Sequence, residues 1–123
     1  LRPLFRSATG KMLLTTLPER DVARLLRQAN AQEQDASLHV GTDQALAERR
    51  RALVEGHAIS WGTSVSGAAA MAVLLPGNEP MTLSVGGPIE EVKREQQSLL
   101  ATLRRAVEPY YSTTRTSRAK SEQ

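Results

Sequence analysis

The order of apolar patterns along the chain predicts an α+β domain, with helices packed on an antiparallel sheet. Three observations carry this reading. Up to Gly56 the apolar residues recur at helical spacing; three short apolar runs broken by glycine and proline follow; a long helical period then begins near Ile89. The chain has 123 residues, 40% hydrophobic and 24% charged, which suits one ordinary globular domain with a modest core.

Taken in order, residues 9–17 read as a short helix after Pro3. Pro18 suits the first turn of a second helix. Glu19 and Asp21 favour its positive end, and Val22, Leu25, Leu26 and Ala29 share one face. The pattern fades into the polar loop "NAQEQDAS". Thr42 suits the N-cap of a third helix carrying Leu46, Leu53 and Val54, which Gly56 can end.

"HAIS" and "AAAMAVLLP" read as strands separated by the loop "WGTSVSG", and "MTLSVGGP" as a third. "PGNEP" is a turn, so the second and third runs form an antiparallel hairpin that Gly86, Gly87 and Pro88 end. The last helix carries Val92, Leu99, Leu103 and either Ala106 or Val107 on one face. A three-stranded apolar sheet leaves two edges open, so strands preceding Leu1 or another chain are expected to cover one. No internal repeat is visible. Residues 1–111 read as the domain, and 112–123, "STTRTSRAKSEQ", as a disordered polar and basic tail.

Composition removes several function classes. The aromatics are Phe5, Trp61, Tyr110 and Tyr111 alone, so the core is aliphatic. Cysteine is absent, which removes disulfides, thiolate zinc and a cysteine nucleophile, and fits a cytoplasmic setting. No run approaches the roughly 20 apolar residues that span a bilayer, so no membrane partner is expected. The opening "LRPLFRSATGK" lacks the apolar core of a signal peptide, and its lack of an initiator Met suggests a segment of a longer protein. Most of the net charge of +3 belongs to the tail, where Arg115, Arg118 and Lys120 outnumber Glu122. No basic face is left for nucleic acid.

One short stretch invites a nucleotide reading: Gly10-Lys11 at the mouth of an apolar run. A phosphate loop needs an earlier glycine, four intervening residues, then Gly-Lys-Ser/Thr after a buried strand. The earlier position is Phe5 and the later one Met12. Neither the phosphate-cradling glycine nor the magnesium-binding hydroxyl is present, so this is not a phosphate loop.

The same stretch resembles something else. "RPLFRSATGKMLLTTLPERDV" looks like the "LPLHATATGKALLA…LPE" segment of the IclR family of bacterial transcription regulators. In the same order, "AERRRALVEGHAIS" is similar to that family's "…iRrrGYAvd", "VSGAAAMAVLLPGNEP" to "GvrciAaPVfd", and "MTLSVGGPIEEV" to "aalSisGPxxRl". Residues 2–110 are covered, and four segments in the right order and spacing make the match fairly specific. The resemblance implies the C-terminal effector-binding domain of such a regulator. Its fold would be GAF- or profilin-like, an antiparallel sheet flanked by helices, with the first strands lying before Leu1. It implies a small-molecule effector, commonly an organic or aromatic acid, and a homo-oligomer, dimer or tetramer. DNA would be bound only through an N-terminal winged helix-turn-helix domain outside this chain.

Carried over position by position, the resemblance assigns effector contacts to the helix start Ala8, Thr9 and Gly10. Free amides at a helix N-terminus can meet a carboxylate, although Ser7 and Thr9 also read simply as caps. It assigns Ser84 and Gly86 on the last strand, where alternation sends Leu83 and Val85 to the other face. It assigns Ala72 and Leu74 on the strand before, with Ala70 beside them, where plain packing competes. Ser60 and Trp61 fall where the family has an acidic residue; losing that charge favours acidic ligands, and the Trp61 ring could stack on an aromatic one or serve as packing. Phe5 replaces the family's usual His.

Other chemistries find little support. His39 and His57 lack a carboxylate set for a metal, the serines lack a nucleophile elbow, and Arg49, Arg50 and Arg51 read as a solvated helix face. The chain is expected not to be an enzyme and to need no metal or cofactor. A competing reading is an oligomerisation domain without a pocket, its cavity closed by Trp61 and Met71. An enzyme built on Lys11 would need that lysine beside a base, and helical geometry favours an outward Lys11.

Overall fold

The computed structural model describes residues 2–63 and 65–122, with side chains for 4–63 and 65–111. Among the described residues four α-helices precede three strands and two α-helices follow them, the block order that the sequence patterns predict, giving an α+β fold with two more helices than those patterns mark. Helix α1 (Arg2–Arg6) leads directly into α2 (Ala8–Leu14), and Ser7 between them is extended. The Ser7 hydroxyl accepts the Gly10 amide at 3.0 Å, so the cap reading of Ser7 is correct. Helix α2 is shorter than the sequence pattern, because Thr15 and Thr16 turn their hydroxyls onto the carbonyls of Met12 and Leu13 and close the chain into turns.

Helix α3 (Glu19–Gln32) starts one residue later than predicted, with Pro18 as its extended N-cap. Its Val22 and Leu26 pack with Phe5, Leu14 and Ala45 in a satellite cluster away from the sheet. A 3₁₀ turn at Ala36–Leu38 lies in the polar segment read as loop. Asn30 ties that segment down, donating to the Val40 carbonyl (2.9 Å) and accepting the Val40 amide (3.1 Å).

Helix α4 (Thr42–Glu55) takes Gly41 rather than Thr42 as its N-cap, and left-handed Gly56 ends it. Its buried residues are Ala45 and Ala52; Leu53 and Val54 are exposed, Val54 at 87%. Arg49 corrects the solvated-face reading. Its side chain is only 13% exposed. The guanidinium donates to the Leu17 carbonyl at 2.6 and 3.1 Å and to that of Leu14 at 3.3 Å. A cation there serves the Leu17 carbonyl in the turn after α2 and adds a second donor to that of Leu14, at the negative end of the helix.

Strands β1 (Ala58–Trp61), β2 (Ala68–Leu75) and β3 (Met81–Pro88) form one antiparallel sheet in the order β1-β2-β3. The register sets Ala72 between Ala58 and Ser84, and Ala70 between Ser60 and Gly86. These residues share one face, on which α2 and α4 pack over Ala58, Ala70 and Ala72. The other face carries Ile59, Met71, Val73, Leu83 and Val85, packed against Leu103 and Val107.

The helix predicted from Ile89 is two: α5 (Ile89–Arg94) and α6 (Gln96–Glu122), broken at Glu95. Val107, not Ala106, turns inward. The α6 backbone runs as helix to Glu122, where composition predicts a disordered tail from 112. The side chains of 112–122, and Gln123, lie outside the described residues. The division of the chain at 111 is therefore a proposal here.

Candidate functional site

Helix α2 lies flat on the small-residue face of the sheet. Ala8, at 1% exposure, and Met12 pack on Ala72, at 0%, with Ala52 of α4 beside them and Ala58, Ala70 and Leu74 around the rim. Alanine at every crossing lets helix and strand backbones approach closely, and the seam between them is filled. Ser60, also buried, sits on this same face.

Helix α2 packs across all three strands, yet the third keeps two positions open on this face. On β3, Ser84 and Gly86 are exposed although they belong to the same face as Ala72. At 100° per residue, the stripe Ala8–Met12 faces the sheet and Lys11 turns toward α4, where its ammonium stands 3.9 Å from the Glu48 carboxylate. Thr9 and Leu13 must then project from the opposite flank, toward β3, and both are half-buried. Half-buried Thr9 and Leu13 on α2 and exposed Ser84 and Gly86 on β3 are thus the accessible positions on this side of the sheet.

Backbone groups lie beside these positions. The Gly10 amide is taken by the Ser7 hydroxyl and the Lys11 amide by the Ser7 carbonyl at 2.9 Å. The amides of Ala8 and Thr9 lie outside the helix's own ladder. On β3, the bond from Ile89 N–H to the Gly67 carbonyl (3.1 Å) fixes the ladder's phase. Main-chain groups of Leu83 and Val85 face β2, and those of Thr82, Ser84 and Gly86 face the open edge. Gly86 carries no side chain there: a β-carbon would stand 3.2 Å from the Ala69 carbonyl oxygen.

The structure thus brings Ala8, Thr9, Ser60, Ala72, Leu74, Ser84 and Gly86 to one face, with Thr9, Ser84 and Gly86 reachable from outside. Gly10 is buried within α2. Trp61 stands apart. Successive residues of a strand point to opposite faces, so Trp61 leaves the face that Ser60 joins. It lies half-open at the outer edge of β1, 40% exposed. The same alternation corrects the closure by Trp61 and Met71. Met71 is wholly buried on the α6 side, and the space under α2 is filled by Ala8, Met12 and Ala72 instead.

Sequence reasoning missed two features. The loop over the helix start is anchored by Thr63, whose hydroxyl donates to the Arg6 carbonyl at 2.6 Å; no local signal marks a contact across 57 positions. A cleft of about 440 Å³ also runs along β1, bounded by Lys11, Glu48, Arg51, Glu55, His57 and Trp61. Lys11 is accordingly not fully outward; its half-buried side chain lines this cleft. Among the described residues, no group of three or more His, Asp or Glu could hold a metal ion, and no helix is long and apolar enough to cross a membrane.

Comparison with known proteins agrees with this architecture. The family model described as bacterial transcriptional regulator IclR C-terminal matches residues 1–110. Among solved structures, the effector domain of a transcriptional regulator IclR from Acinetobacter sp. superposes with a TM-score of 0.82 at 26% identity, covering 89% of this chain and 65% of that one. The C-terminal domain of the E. coli transcriptional regulator KdgR gives 0.70 at 21% identity, covering 86% and 67%. The Thermotoga maritima IclR gives 0.70 at 16%, covering 85% and 44%. This chain therefore spans two thirds or less of these relatives' lengths. Curated protein sequences return no match. The family match over nearly the whole chain, together with the shared fold, places this protein in the IclR C-terminal family of bacterial transcriptional regulators.

Proposed function

We propose that the chain is the effector-sensing domain of a cytoplasmic DNA-binding regulator, and that the groove between α2 and β3 receives a small organic acid. The observation that carries this reading is the convergence of Thr9, Ser84 and Gly86. Two hydroxyls and a set of main-chain amides, those of Ala8 and Thr9 and of the open β3 edge, border one uncovered patch. Such donors suit a carboxylate, and neither wall supplies a carboxylate of its own to repel it. Leu13 and Leu74 offer the apolar remainder. Ala8, Gly10, Ser60 and Ala72 act from beneath, by setting how closely α2 sits on the strands.

Binding would regulate by favouring one arrangement of paired domains over another, since a ligand shifts an equilibrium only by its differential affinity for the two states. DNA contact belongs to a winged helix-turn-helix domain outside these residues. No residue in the groove has the nucleophile–base geometry of an enzyme, and the reading is of binding alone.

One observation favours a second reading. The seam under α2 is filled by Ala8, Met12 and Ala72, which suits a purely structural oligomerisation domain. Thermal unfolding against a panel of aliphatic and aromatic carboxylates separates the two. A ligand at a hundredfold over its dissociation constant adds about 2.7 kcal/mol, or roughly 10 °C for a domain of this size. The sensing reading expects such a shift with one acid class and its loss in a folded Gly86→Val variant. The structural reading expects no shift with any acid.

A further inference from the structure

Strand β2 outruns β1, and the chain's main-chain pairing is incomplete where it does. The Gly62 amide donates to the Ala68 carbonyl at 2.8 Å, which fixes the phase of the β1–β2 ladder. Counting along β2 from that pair, Ala70, Ala72 and Leu74 direct their main-chain groups toward β1. Ala70 meets Ser60 and Ala72 meets Ala58, but β1 begins at Ala58, so Leu74 has no strand opposite it. Gly56 has already left the sheet as the left-handed end of α4, its amide given to the Ala52 carbonyl at 2.8 Å. The Leu74 N–H and C=O therefore open, without a partner among the described residues, onto a cleft of about 430 Å³ between Gly56 and α6. That volume lies in the range of small-molecule sites.

Helix α6 brings charges of both signs to this cleft, and they do not neutralise one another. Arg104 stands at the end of α4, where one guanidinium N–H reaches the Glu55 carbonyl at 3.3 Å and the other donors stay open. The side chains of Arg105 and Glu108 line the same cleft and form no ion pair or hydrogen bond with a described residue. Arg104 and Glu108 are four positions apart, about 6 Å along the helix axis. Val73 and Val107, both buried, supply apolar surface, and the Tyr111 ring is half-open beside them.

This set of groups selects a ligand. A simple carboxylate would be drawn by the arginines and repelled by Glu108; a simple amine would meet the reverse. A molecule carrying both charges on one carbon suits all of them. We infer that the cleft binds an α-amino acid as its zwitterion, one with an apolar side chain. The carboxylate accepts from Arg104, Arg105 and the Leu74 amide. The ammonium donates to Glu108 and the Leu74 carbonyl, and the side chain lies on Val73 and Val107 beside Tyr111. Only the Leu74 main chain takes part, since its side chain belongs to the α2 face. The site is separate from Thr9, Ser84 and Gly86 and does not rest on the reading of that strip.

Amide-resolved NMR titration of the full 123-residue chain with L-phenylalanine and L-leucine is the test. Saturable shifts are expected at Gly56, Val73, Leu74 and Arg104, with Thr9 and Ser84 unmoved. 3-Phenylpropionate lacks the ammonium and phenethylamine the carboxylate; each should bind at these positions at least tenfold more weakly than L-phenylalanine. Arg105→Gln and Glu108→Gln alter exposed side chains, so circular dichroism should stay native while binding of L-phenylalanine weakens at least tenfold in each. Glu108→Gln should also narrow the gap between L-phenylalanine and 3-phenylpropionate, which loss of a merely structural contact would not do. Absence of shifts at these residues with both amino acids, equal binding of 3-phenylpropionate by the wild type, or unmoved binding in a folded Glu108→Gln chain would each overturn the proposal.

Discussion

The two faces of the sheet are built on different plans. The face under α6 carries buried Met71 and Val73 and half-buried Leu83 and Val85, all aliphatic, in one cluster with buried Leu103 and Val107. The face under α2 carries Ala58, Ala70 and Ala72 and then, on β3, the uncovered Ser84 and Gly86. Burial of apolar area stabilises in proportion to that area, so the first face contributes most of the sheet's stability. The second gives up that contribution for a backbone lying close to a helix start and a strip left open. On the proposed function, stability and binding are divided between opposite sides of one sheet.

The strongest way to break that division is to empty the α6 face. Met71→Ala should cost about 2–5 kcal/mol, read as a lower denaturant midpoint, and should leave binding at the groove intact as long as the chain is folded. Overfilling the other face comes next: Ala72→Leu should cost about 1–3 kcal/mol, because α2 cannot rise without leaving Ala8 and Met12 unpacked. An equal loss from Ser84→Ala, on the exposed strip, would contradict the contrast.

Arg49→Met tests whether α2 is held as a unit. It strips the donors from the Leu14 and Leu17 carbonyls while keeping much of the side chain's volume. A loss of about 1–2 kcal/mol is expected in thermal unfolding. An unchanged midpoint would mean that water serves these carbonyls equally well.

The smallest effect comes from the surface ion pairs. The bond from Arg50 to Glu19 (2.7 Å) holds the Glu19 carboxyl below its ordinary pKa, and Arg51 does the same for Glu55. A carboxyl whose folded pKa is lowered contributes stability that is present above its unfolded value and lost as pH falls through the folded one. Stability should therefore decline slightly below about pH 4.5, the ordinary value for both groups. Both carboxyls lie at the surface in contact with water, so the decline is modest and screened by salt. Glu19→Gln should flatten it in unfolding curves taken between acid and neutral pH.

The sheet was legible because strand signals are local. Alternation of Leu83, Ser84, Val85 and Gly86 states both faces of β3 without any neighbour, and "PGNEP" states the hairpin. The long-range devices were not. Arg49 looks like its neighbours Arg50 and Arg51, and only the fold brings the end of α2 within its reach. Leu53 and Val54 look like core and are exposed, since α4 meets the rest of the chain through Ala45 and Ala52. Ser60 and Trp61 adjoin in sequence, which suggests one site, whereas the pleat assigns them to different faces. The end of α2 likewise depends on where Thr15 and Thr16 turn their hydroxyls, which no helical periodicity states.

The claim at the centre is that the open strip, and not the filled seam or the β1 edge, receives a small acid. Amide-resolved NMR titration of the chain with the carboxylate panel tests it most directly. The account predicts shifts concentrated at Thr9, Leu13, Ser84 and Gly86, with Val73, Leu103 and Ile59 unmoved. Shifts clustered along β1, or a spectrum that no carboxylate disturbs, would contradict it.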